Sequence, residues 1–547
     1  MEARVRGRRP WRRRCHLAAF LACAATLAFV DTGALGSDSQ RDGGIFRVAF
    51  EGLDYIDPAL AYTPASWSLL DTTCARLMTY PDKPAPAGLS VVPEVAADYP
   101  KISRNGKTYT FRLRSGFRFS DGTPVGASAF ARAINRTLAK GVDSWAVQYT
   151  GDIVGAADVR AGETTAAAGV TARGNTLVVQ FTRPVVNFAA ITTMPFLCAV
   201  PPTLPSDPEG VSVFPSAGPY VVTEYRPGER VTIRRNRFYR GARPHHVDGF
   251  DVDLRSPDFS DVLDRIERGE ADWGLAVAPV YFQPGRGLVA KFGVNRSQFF
   301  VRPGYVLRHL VFNTSRPLFR DNAALRRAVN FALDRRGLVQ AYGSTPLADR
   351  VTDQYLPPGM PGFTDAAIYP LERPNLERAR RLARGNLRGG KAVLYTNDIP
   401  IPLAAAQTVK QQLAEIGLDI EVRPLPPSVA ISRLFTPGEP WDLTIIHWIP
   451  DFVDPFQYTN LLFDPQFASI GNFGRFDSRT FNSQMRRAGR LWGAERYRAY
   501  ADLDVRLARD AAPSAPISFL NEPTLVSKRV GCVVLRPVLD LTAVCLK

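Results

Sequence analysis

Apolar and polar residues alternate in Gly44-Ile45-Phe46-Arg47-Val48-Ala49-Phe50, which predicts a strand with one buried face, ended by the turn-forming Asp57-Pro58. Asn105-Gly106 separates Lys101-Ile102-Ser103 from Tyr109-Thr110-Phe111-Arg112-Leu113, and a two-residue turn of that kind predicts a hairpin. Gly174-Asn175 divides a second strand pair, 169–172 and 177–181, and Pro227-Gly228 a third, 218–222 and 230–234. Helical spacing of apolar residues appears over 66–77, 127–138 and 261–268. In the clearest helix, Leu325, Ala328, Val329, Ala332 and Leu333 share one face, with Asp321 expected as its cap. A further helix over 376–384 has Asn375 to cap it and Gly385 to end it.

The most informative pattern lies between Lys391 and Pro455. A strand at 392–395, a helix over 402–416 stopped by Gly417, and an alternating strand at 418–422 make a βαβ unit, so part of the chain carries parallel sheet. Asp442-Leu443-Thr444-Ile445-Ile446 predicts another strand, followed at once by His447-Trp448-Ile449-Pro450-Asp451-Phe452-Val453-Asp454-Pro455. Ligands of open α/β sheets bind beyond the carboxyl ends of strands, which makes this loop the candidate ligand contact.

Composition sets bounds. With 547 residues, 45% hydrophobic and 22% charged, the chain is globular and too long for one core. Its first 36 residues differ from the rest: seven arginines from Arg4 to Arg14, an apolar run from Leu17 to Val30, then Ala34-Leu35-Gly36. That is the layout of an export signal with cleavage after Gly36, and the apolar run is short for a membrane anchor. These arginines, against Glu2 and Asp31, account for +5 of the formal net charge of +16. The remaining basic residues are scattered among acidic ones, so a solvated cationic surface is expected and nucleic acid is not. Cleavage leaves Cys74, Cys198, Cys532 and Cys545. Four cysteines in an exported chain allow three disulfide pairings. Cys532 and Cys545 flank a short apolar segment able to turn back on itself, and Cys74 pairs with Cys198 by elimination.

Catalytic signatures are missing: there is no GxSxG, HExxH or GxxxxGK[ST]. Beyond the leader, histidines stand only at 245, 246, 309 and 447. His245-His246 lies between Pro244 and Asp248 and reads as a surface turn. An enzyme is not expected, nor a cofactor or bound metal. The loop at 447–455 is different. Pro450 and Pro455 restrict the backbone around Asp451, and a fixed carboxylate beside Trp448 and Phe452 suits a cationic amine. The same residues also suit a plain structural role, the aromatics as core and Asp451 and Asp454 as turn residues.

A resemblance favours the first reading. Trp448-x-x-Asp451-Phe452-x-Asp454-Pro455 resembles the Trp-x-x-Asp-Tyr-x-Asp-Pro stretch of the bacterial extracellular solute-binding proteins of family 5. Phe119-Ser120-Asp121-Gly122-Thr123-Pro124, Ser216-Ala217-Gly218-Pro219-Tyr220, Phe312-Asn313 with 325–335, and 411–418 resemble further stretches of that family, in the same order. The resemblance implies an α/β, two-lobed periplasmic-binding-protein-like fold with an extra inserted domain and a hinge between lobes. Domain I would comprise 44–80, 215–305 and 520–547, domain II 81–214, and domain III 306–519. It implies an extracellular component of an ABC-type importer, a monomer, that captures a peptide or other amine-bearing solute and hands it to permease and ATPase subunits. Asp451 would hold the amine. Trp448, Phe452, His447, Gly218 and Tyr220 would complete the ligand site. Phe452 stands where the family has Tyr, and Ser216-Ala217 where it has Gly-Thr. The family also serves nickel complexes and other solutes, so these remain alternatives, as does a receptor that senses its ligand; a secreted hydrolase is the remote one.

Overall fold

The alternating segments assemble into three principal sheets. The structure, a computed structural model, describes residues 42–547 apart from 85, 86, 186, 277–280, 284, 492 and 537. The predicted leader and its cleavage site lie outside the described residues.

The first sheet has five strands in the order Trp273–Gly274, Ile45–Ala49, Gly249–Asp253, Arg230–Arg235 and Tyr220–Arg226. Ile45–Ala49 is parallel to both neighbours, and the last three strands are antiparallel. Alternation works as expected here: Phe46, Val48, Val231 and Ile233 point into one core with Phe250 and Tyr220. The second sheet is wholly antiparallel, ordered Lys101–Ile102, Thr108–Arg112, Thr176–Gln180, Val170–Arg173. Its first hairpin turns at Gly106, whose φ of +71° a residue with a Cβ rarely adopts. The helix Ala127–Leu138 covers this sheet and buries Phe130, Ile134 and Leu138.

The third sheet is mixed and has six strands, Asp349–Val351, Ser514–Leu525, Phe299–Phe312, Leu443–Trp448, Lys391–Asn397 and Asp419–Leu425. Lys391–Asn397 and Asp419–Leu425 run parallel, joined by the helix Pro400–Ala414, which is the predicted βαβ unit. The helix places Ala406, Val409 and Leu413 on Leu394 and Ile420.

Two strands serve both halves of the molecule. Phe299–Phe312 and Ser514–Leu525 run antiparallel over most of their length. At one end, Phe300 joins the core of the five-stranded sheet; at the other, Leu310, Phe312, Ala515 and Ile517 join the core of the six-stranded sheet. Their ladder shifts register between Arg302 and Val306, at the crossing from one half to the other. Gly304 sits in that irregularity, where an added Cβ would lie 1.9 Å from the Leu520 carbonyl oxygen. The architecture is thus α/β and two-lobed, with these strands as the crossing.

Several local expectations shift. The first helix is Pro64–Thr73, not 66–77: Thr63 caps it by accepting from the Ser66 N–H, and the backbone turns extended at Cys74. The cap at 321 moves one residue on. Asp321 is left-handed at φ +49°, and Asn322 accepts from the Leu325 N–H at 3.3 Å. His447 and Trp448 belong to the strand and not to the loop after it, because Phe299–Phe312 is long enough to pair with them through Arg308 and Leu307. Both disulfides take the expected pairing, Cys74–Cys198 and Cys532–Cys545. No helix among the described residues is long and apolar enough to cross a membrane.

Candidate functional site

The loop after Leu443–Trp448 crosses the seam between lobes. Phe452 is 4% exposed and packs into the core of the antiparallel sheet, edge-on to Tyr149 with ring centroids 5.8 Å apart. In the reverse direction, Leu89 is buried among Tyr305, Leu307 and Tyr355 of the other lobe. Each lobe therefore inserts an apolar side chain into its neighbour. Asp454 is structural: it accepts from the Phe456 N–H and pairs with the buried Arg496 at 2.5 Å.

Asp451 has a different environment. Its Oδ1 accepts the Tyr62 hydroxyl at 2.7 Å, and its Oδ2 accepts the Tyr149 hydroxyl. Both tyrosines come from the opposite lobe. Gln457 braces the group, accepting from the Asp451 N–H at 3.3 Å and donating to the Tyr149 oxygen at 3.4 Å. The Val453 N–H donates to a third tyrosine, Tyr80, at 3.1 Å. Among the described residues no Lys or Arg forms an ion pair with Asp451. Burial raises its pKa above the usual 3.8, and the two tyrosine hydroxyls only partly offset that. Burial, and then the Asp451 charge, push both tyrosines far up, so each stays a donor.

Aromatic rings surround this carboxylate. Tyr62 stacks on Trp145 at 5.1 Å with 16° between planes, and meets Trp67 edge-on at 5.8 Å. Trp145 is 61% exposed, a large apolar surface left in water at the edge of the site. A part-buried anion without a protein cation, lined by aromatic faces, can hold an ammonium group through a charge-assisted hydrogen bond and ring contact.

The other predicted residues divide. Trp448 packs between two cores of its lobe, and its indole N–H is buried with no acceptor among the described residues. His447 engages Arg308: its Nε2 accepts from the arginine Nε at 2.8 Å. Loss of water around the ring, then the Arg308 charge, draw its pKa down to about 3, so it is neutral. Arg308 is itself held by Asp349 at 2.9 Å and lies 3.9 Å over the Tyr342 ring. Two expectations need correction. Tyr220 is fully buried in the five-stranded sheet and donates its hydroxyl to the Val247 carbonyl, so a ligand cannot reach it. Gly218 serves close packing: its N–H donates to the Thr73 carbonyl at 2.8 Å, and a Cβ would lie 2.5 Å from that oxygen.

Sequence reasoning missed Tyr62, Tyr80, Trp145 and Tyr149. They lie some 300 to 390 positions before Asp451, and nothing local marks them. The one available signal is the spacing of Trp145 and Tyr149, four apart at the short helix Val147–Thr150.

Comparison with known proteins adds four findings. The family model described as bacterial extracellular solute-binding proteins, family 5 Middle, matches residues 90–469. The oligopeptide-binding protein OppA of Bacillus subtilis strain 168 is 24% identical over 468 residues, 80% of this chain and 81% of that protein. The probable D,D-dipeptide-binding periplasmic protein DdpA of Escherichia coli strain K12 is 23% identical over 447 residues, 79% and 80% of the two chains. Among solved structures, a clavulanic acid biosynthesis oligopeptide binding protein 2 superposes with a TM-score of 0.81 at 25% identity, covering 93% of this chain and 96% of that one.

Proposed function

The chain belongs to the bacterial extracellular solute-binding proteins of family 5, and from that premise we propose that it captures a peptide or other amine-bearing solute between its lobes and delivers it to the permease of an ABC-type importer. The observation that carries this reading is Asp451, a carboxylate on one lobe that meets only neutral donors of the other. Similarity to peptide-binding proteins over about four-fifths of the chain supports the ligand class.

In this reading the chain is exported and works as a monomer. The ligand enters with the lobes apart, and its ammonium group takes the position beside Asp451. Closure brings Tyr62 and Tyr149 onto the same carboxylate, so the contacts that favour ligand and the contacts that favour closure share one group. A ligand bound better by the closed form shifts the population towards it. The crossing at Arg302–Val306 is the hinge, because the broken ladder there bends with the loss of few hydrogen bonds. The three-domain division at residues 81, 215, 306 and 520 belongs to this reading; each principal sheet supports it by having its own core.

Calorimetry with a tripeptide tests the proposal. Asp451→Ala weakens a free-amine tripeptide by about 2–5 kcal/mol if the ion pair is desolvated. The N-acetylated tripeptide binds the unaltered protein as weakly as the free-amine form binds the variant. Equal affinity of the free-amine tripeptide for both proteins removes Asp451 from the ligand site.

A further inference from the structure

A cavity of about 150 Å³ is lined in part by Tyr149, whose hydroxyl donates to Asp451. Its walls come from both lobes, residues 148–191 on one side and 456–490 on the other. Phe456 and Ile191 give it an apolar floor, and three of the lining residues are arginines, Arg183, Arg486 and Arg490. Arg183 pairs with Asp152, the only carboxylate among the lining residues.

Arg486 and Arg490 are exposed, four residues apart at the end of the helix Arg479–Ala488. Neither pairs with a carboxylate among the described residues, although ion pairs are abundant elsewhere in the molecule. Asp464 lies near Arg486 and Arg183 but is fully buried and is not part of the lining; its Oδ2 has no hydrogen-bond partner among the described residues. Among the lining residues, three guanidinium groups therefore stand against one carboxylate.

We propose that this cavity takes an acidic side chain from the ligand whose amine is held at Asp451, so that the preferred solute is a peptide with Glu or Asp at its amino end. The inference rests on amine capture at Asp451. Tyr149 lines the cavity and donates its hydroxyl to Asp451, so one residue is common to the carboxylate and the cavity. Guanidinium groups bind carboxylates through paired N–H donors, so the site discriminates a carboxylate from the isosteric amide.

Calorimetric titration of the full-length protein with Glu-Ala-Ala, Gln-Ala-Ala and Lys-Ala-Ala tests this. Glu-Ala-Ala binds about tenfold or more tighter than Gln-Ala-Ala, the scale of one charge-assisted contact, and Lys-Ala-Ala binds weakest. In the double variant R486Q/R490Q the Glu preference falls to near unity while Gln-Ala-Ala affinity stays the same. Equal binding of Glu- and Gln-led peptides to the unaltered protein overturns the acidic subsite and leaves amine capture standing. So does a Glu preference that survives in the double variant. Failure of all three tripeptides to bind overturns both.

Discussion

Two carboxylates, Asp57 and Asp451, differ in how the fold meets their charge. Asp57 lies inside one lobe and is fully matched. Arg136 meets it with two donors at 2.9 and 2.5 Å, and the Ala59 and Val211 N–H groups complete its shell. Asp451 lies at the seam and has two tyrosine hydroxyls but, among the described residues, no cation. A charge satisfied within its own lobe holds the fold; one left without a counter-ion between lobes favours a cation from outside.

The largest expected effect tests the first half of that contrast. Asp57→Ala leaves the Arg136 guanidinium buried without its partner and destabilises the protein by about 3–5 kcal/mol in denaturant unfolding. Asp451→Asn, in the same assay, changes stability by less than about 1 kcal/mol, because no buried cation is orphaned. Similar losses in the two variants would erase the distinction.

A second effect is pH dependence. An ammonium ligand needs Asp451 ionised, and burial holds that pKa above 3.8, so affinity falls on acidification before an ordinary aspartate would protonate. Below the raised pKa the loss approaches tenfold per pH unit. The sign for folding is opposite. The folded chain takes up this proton before the unfolded chain does, so at this group acidification towards 3.8 stabilises the ligand-free protein. Titrations of a free-amine tripeptide from about pH 7 to about pH 3 show the decline, and a decline confined to pH below 3.8 would mean that the carboxylate is not desolvated.

The smallest effect concerns the tyrosines. Tyr62→Phe deletes one hydrogen bond across the seam and keeps the stacking on Trp145, costing about 0.5–1.5 kcal/mol in unfolding experiments. A loss of 3 kcal/mol or more would move the Tyr62–Asp451 contact to the structural side of the comparison.

Much of the architecture was legible because it rests on local rules. The hairpin at Asn105-Gly106, the helix Ala127–Leu138 and the βαβ unit around Pro400–Ala414 follow from turn residues and apolar spacing within a short window. Errors came where a distant partner sets a boundary. The strand reaches Trp448 because Phe299–Phe312 pairs with it, and the first helix ends at Thr73, where Gly218 and Cys198 approach from elsewhere in the chain. In the site, the aromatic and proline neighbours of Asp451 suited an amine contact and a structural turn alike, and the family resemblance favoured the first. Tyr220 looked equivalent by motif, yet its place in a sheet interior withdraws it.

The sequence by itself determined the elements, the family and the one carboxylate on which the ligand proposal turns, since each is written in contiguous residues. Tertiary structure alone decided what faces that carboxylate. Tyr62, Tyr149 and the arginines of the neighbouring cavity meet only after three sheets form and two lobes close on each other. The physical reason is that a hydrogen bond or an ion pair depends on a separation of a few ångströms, and the chain distance between residues does not fix that separation.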